Sequence, residues 1–68
     1  MKATVGDIIV YADNDTVVKI AGVGTDMGTW RIEGKFYEDH ILKHHGDPVT
    51  LVIFDMHDNT IALTVGRA

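Results

Sequence analysis

The apolar positions of the chain come in short runs broken by polar turns, and most runs repeat every second residue. Trp30, Ile32 and Phe36 fall on one parity and Arg31, Glu33 and Lys35 on the other, as a strand with one buried and one wet face requires. Residues 60–65 alternate in the same way, with Ile61, Leu63 and Val65 inward and Thr60, Ala62 and Thr64 outward. The run from Thr16 to Val23 is apolar on both parities except at Lys19, which predicts a central strand. Val49 to Phe54 forms a further strand, and Ile8-Ile9-Val10-Tyr11, a β-branched run entered from Gly6-Asp7, predicts the first.

Turn chemistry separates these runs. Ala12-Asp13-Asn14-Asp15 reverses the chain, with Asn14 suited to positive φ, and Asp55-Met56-His57-Asp58-Asn59 closes a hairpin between the last two strands. Gly24-Thr25-Asp26-Met27-Gly28 makes a longer hairpin connection with Met27 at its tip, and Gly22 marks a bulge or bend. Between Tyr37 and Pro48 the period changes. Acids open the stretch Glu38 to His45, bases close it, Gly46 supplies a left-handed stop and Pro48 prevents continuation, so the spacing predicts a helix of about two turns. Tyr37, Ile41 and His45 share one face of it, and Ile41 and Leu42 pack over an open end of the sheet.

The expected fold is therefore mainly β: a small antiparallel five-stranded β-barrel with one short helix between strands 3 and 4. The order of Val5-Gly6-Asp7-Ile8-Ile9-Val10, the Val18 to Val23 strand, Trp30-Arg31-Ile32 and Glu38-Asp39-His40-Ile41-Leu42 resembles an SH3-like barrel of the KOW or translation-factor type over roughly the first 43 residues. That resemblance implies RNA binding through loops that are commonly basic, whereas the loops here are acidic. Phe54-Asp55-Met56-His57-Asp58-Asn59 is similar to the uridine-binding loop of Sm-like proteins, which would give Asp55 and Asn59 a base to hold. The same residues also make an ordinary hairpin turn in which aspartate side chains cap backbone amides, and only nine residues follow Asn59.

Composition narrows the function. Sixty-eight residues make one domain, which buries only about 60% of the surface its unfolded chain exposes. A hydrophobic content of 46% excludes intrinsic disorder, and with no cysteine there is neither a disulfide nor a thiolate metal site to support so small a core. No apolar run is long enough for a membrane span and no signal-peptide pattern opens the chain, so the expectation is a soluble cytoplasmic protein. The net charge of −4 disfavours a surface built to neutralise phosphates. Asp13, Asp15, Asp26, Asp47, Asp55 and Asp58 lie in turns, either as turn formers or as an acidic rim that meets a basic partner.

Candidate chemistry is sparse. His40 and His44, four apart on a helix, have zinc-like spacing, with Asp39, Asp47 or His57 as further ligands, but solvated histidines near a helix C-terminus are the favoured reading and no metal or other cofactor is expected. Serine and cysteine are absent, no carboxylate pair sits in a motif, and the glycines at 22, 24 and 28 precede no long helix, so the chain is not expected to be an enzyme. What remains is a binding module acting by protein–protein contact, a small regulator or inhibitor of a larger machine such as phages and mobile elements encode. Tyr11, Met27, Arg31, Lys35, Asp55, Met56 and Asp58 are its candidate contact residues. Two alternatives stand beside it. In one, Lys19, Arg31 and Lys35 form a nucleic-acid face with Tyr11 as a stacking surface; in the other, an unclosed barrel edge pairs with a second copy.

Overall fold

A computed structural model describes residues 3–23 and 29–66. Its elements are a helix α1 (Val5–Ile9), strands β1 (Val17–Val23) and β2 (Thr29–Gly34), a one-turn helix α2 (Asp39–Leu42), and strands β3 (Val49–Asp55) and β4 (Thr60–Val65). The four strands form one mixed sheet in the order β2-β1-β4-β3. β1–β2 and β3–β4 are antiparallel hairpins, and β1 and β4 join them as a parallel pair with Val18 beside Ile61 and Ile20 beside Leu63.

The first segment departs from the strand expected of it. Thr4 and Asp7 stand three apart at the start of an apolar run, the spacing of a helix-capping pair, and the Thr4 amide donates to Asp7 Oδ2 at 3.0 Å. The exposed N-terminal amides of so short a helix find partners elsewhere: Val5 N donates to the Asp47 carbonyl and Gly6 N to the His45 carbonyl. Val5 and Ile9, four apart, are both buried. With this segment helical, no fifth strand among the described residues bridges β2 and β3. The sheet stays open, and the five-stranded closed barrel is replaced by a four-stranded sheet with two short helices.

One parity of the central strands supplies most of the core. Val18, Ile20, Ile61, Leu63 and Val65 are buried with Val5 and Ile9 of α1 and Ile41 of α2, so both helices lie on the same face of the sheet. Burial at roughly 25 cal/mol per Å² of apolar surface is the main stabilising term for such a domain. β1 is central, as its pattern predicts. Trp30 and Ile32 lean on the core while Arg31 and Glu33 are exposed, which bears out the parity of β2.

Several local expectations change. Gly22 carries no bulge: it sits in regular register opposite Trp30, and a Cβ there would run into the indole atom Cζ2, so glycine makes room for the ring. The irregularity lies in β3, where Val49 pairs with Val65 and Leu51 with Thr64, leaving Thr50 as the extra residue. The helix after Glu38 ends at Leu42 and continues as turns. Ile41 is buried, but Leu42 and Tyr37 are exposed, because one turn can present only one side to the sheet. Gly46 does not take the left-handed conformation, and positive φ falls on Asn59 (54°) and not on Asn14. Among the described residues no helix is long and apolar enough to cross a membrane.

Candidate functional site

The turn that follows β3 and the segment that follows α1 meet at one end of the sheet. Tyr11, two residues past the end of α1, is largely exposed, and its ring meets Phe54 edge-on with centroids 6.2 Å apart and planes at 90°. Met56 projects beyond them and is 92% exposed, and Val10 is exposed next to Tyr11 in the chain. A groove of about 560 Å³ runs between Tyr11, Phe54 and Met56 over a floor that includes Ile8 and Ile61. Asp13 and Asp55 stand on its margin.

The walls of the groove are held by polar knots. Asp13 Oδ1 accepts from the Asp15 amide (2.9 Å) and from the Thr16 hydroxyl (2.8 Å), so the turn is closed by its own side chain. Hydrogen bonding, first from Thr16 and then from the Asp15 amide, holds the Asp13 carboxyl below the ordinary carboxylate range. Asn59 Oδ1 lies 3.0 Å from Thr16 Oγ1, tying this turn to the one before β4. Thr16 is buried there. Across the groove, Asp55 Oδ1 accepts from the amides of His57 and Asp58, a turn stabilised by aspartate. Both residues that the Sm-like loop would spend on a base are thus engaged within the fold.

The sequence-based candidates divide accordingly. Tyr11, Asp55 and Met56 come together in the groove, and Asp58 sits in the exposed turn beside them, its carbonyl accepting from the Thr60 hydroxyl. Arg31 is elsewhere, exposed on the opposite face of the sheet, and Lys35 lies beyond β2 with its Nζ donating to the Asp15 carbonyl at 3.2 Å. Lys19, Arg31 and Lys35 therefore form no single basic patch, since Glu33 is the direct cross-strand neighbour of Lys19. Met27 lies outside the described residues. Phe54, unmarked in the sequence because Val49 to Phe54 is apolar except at Thr50, is the central ring of the groove. Its position just before an aspartate turn, at the end of an edge strand, is the signal that could have found it.

His40 and His44 do not converge. His40 Nε2 donates to the Glu33 carbonyl at 2.7 Å, while His44 lies past the end of α2, stacks on Trp30 with centroids 5.0 Å apart, and donates from Nδ1 to Asp47 Oδ2 at 2.8 Å. Among the described residues no three histidine or carboxylate side chains are grouped as a metal site would need. No protein-family model matches the chain, and neither a curated protein nor a solved structure is similar to it.

Proposed function

We propose that the chain is a small non-enzymatic binding module that captures a protein partner in the Tyr11–Phe54–Met56 groove. The observation that carries this reading is the grouping of two aromatic rings and a fully exposed methionine around one depression of about 560 Å³. Aromatic and methionine side chains are the residues that anchor protein contacts, and methionine adapts to irregular surfaces. Asp13 and Asp55 at the margin favour a partner segment that offers an apolar side chain flanked by basic residues, and the low pKa of Asp13 keeps one of those charges in place in mild acid. A regulatory or inhibitory role on a larger assembly fits a module of this size.

The test is a comparison of wild type with a Tyr11→Ala/Met56→Asp double variant, each immobilised and exposed to extract of cells that express the chain. Both residues are exposed, so the variant should stay folded and lose at most about 0.5 to 1.5 kcal/mol, the contribution of the Tyr11–Phe54 edge contact. The reading expects a protein retained by wild type and lost by the variant. Retention of the same set by both, or micromolar, salt-dependent binding of a single-stranded oligonucleotide in place of a protein, would refute it.

A further inference from the structure

The helices cover one face of the sheet, and among the described residues nothing covers the other. From the strand register this open face carries two complete rows: Arg31, Ala21, Thr64 and Leu51 in one, Glu33, Lys19, Ala62 and Ile53 in the next. Parallel strand pairs are normally covered on both sides, and the two strands of the parallel seam, β1 and β4, present the apolar Val17, Ala21 and Ala62 here among Lys19, Thr60 and Thr64. We propose that this face is an interface between two copies of the chain.

The relief of the face suits a copy of itself. Small side chains at Ala21, Ala62 and Thr64 floor a trough of about 370 Å³ over β2, β1 and β4, walled by Lys19, Arg31 and Glu33. Beside it, on β3, Leu51 and Ile53 are each more than half exposed and form a ridge. A two-fold axis parallel to the strands lays the ridge of each copy into the trough of the other, giving a closed, isologous contact. Charge points the same way. Lys19 and Arg31 are partly offset on this face by Glu33, so the face is close to neutral and the excess negative charge of the chain resides elsewhere on the molecule. Two copies repel through most of their surface and not through this one.

The size of the face sets the strength. Four strands about 4.8 Å apart and six residues about 3.3 Å long each make a patch of roughly 19 by 20 Å, so a dimer removes on the order of 800 Å² in total before side-chain relief is counted. That is below the roughly 1,200 Å² at which stable specific interfaces begin, and it corresponds to a weak, concentration-dependent dimer. The contact lies on the opposite face from the Tyr11–Phe54 groove and stands whether or not that groove binds a protein.

Sedimentation equilibrium from about 10 μM to about 1 mM tests it, a range chosen for an interface this small. The mass of wild type should rise from 7.5 kDa toward twice that value. Ile53→Lys puts a charge on the ridge and Ala62→Glu fills the trough, and each should hold the chain at the monomer mass. Circular dichroism and melting separate this from unfolding, and Ile53→Lys, on an exposed edge position, keeps the test valid if Ala62→Glu fails to fold. Met56→Asp, in the groove on the other side, should associate as wild type does. A wild type that stays monomeric to 1 mM, a dimer that survives Ile53→Lys in folded protein, or one that Met56→Asp abolishes would each overturn the proposal.

Discussion

At the scale of single residues, Thr16 concentrates more of the fold than its size suggests. It is the buried polar side chain of the described residues, and its hydroxyl lies within hydrogen-bond distance of Asp13 Oδ1 and Asn59 Oδ1. A hydroxyl has one proton. With that proton given to the Asp13 carboxylate, the contact with Asn59 is satisfied by turning the amide so that its nitrogen donates to Thr16 Oγ1. The charge on Asp13 is thus part of the knot, and its folded-state pKa lies below the value in the unfolded chain. The stabilisation it brings is present above the unfolded value and is lost as pH falls through the folded one. Wild type should therefore be more resistant to urea than Asp13→Asn at pH 7, with the gap closing as pH is lowered through 4 toward 3. Urea midpoints of the two proteins at several pH values check this, and a gap that does not change with pH would show that the carboxylate charge is irrelevant.

At the scale of elements, local pattern and tertiary context compete most openly in α1. Ile8-Ile9-Val10-Tyr11 is rich in β-branched and aromatic residues, and by propensity it belongs in a strand. The Thr4–Asp7 cap and the carbonyls of His45 and Asp47 outweigh that preference by satisfying the first amides of a helix. Asp7→Ala should accordingly cost about 1 kcal/mol, read as a lowered urea midpoint. The alternations of Trp30–Ile32 and Ile61–Leu63–Val65 were legible because a two-residue period has one structural meaning when half of it is charged or hydroxylated. The cap was legible too, as threonine and aspartate three apart, but the β-branched run after it carried the stronger signal. Spacing misled at His40 and His44, since four residues apart places two side chains together only if the helix continues, and α2 stops at Leu42. The Tyr11–Phe54 pairing could not be read at all, because it joins residues 43 positions apart through the packing of α1 on the sheet.

At the scale of the whole molecule, two local hairpins are joined by one non-local seam, β1 against β4. Contacts that close long loops form late and weakly reward early folding, so the seam should carry the cooperativity of the domain. Leu63→Ala, buried in that seam, should cost about 2 to 5 kcal/mol, most of the stability of a domain this small, whereas Leu51→Ala on the exposed ridge should cost under about 1 kcal/mol. Thermal denaturation of dilute protein distinguishes them, and equal losses would mean that the seam is no more important than the edge. The open sheet, where the alternation alone suggested a barrel, follows from the same economy of length: with α1 helical there is no strand left to close it. Val49 N donates to the Ala3 carbonyl and Gly66 N to the Pro48 carbonyl, so the segments at either end of the described chain converge on one dipeptide. The backbone is in effect a ring fastened at residues 48 and 49. Its clasp sits where β3 begins, and the aromatic groove sits where β3 ends, so a fusion attached at the clasp would leave the groove unobstructed.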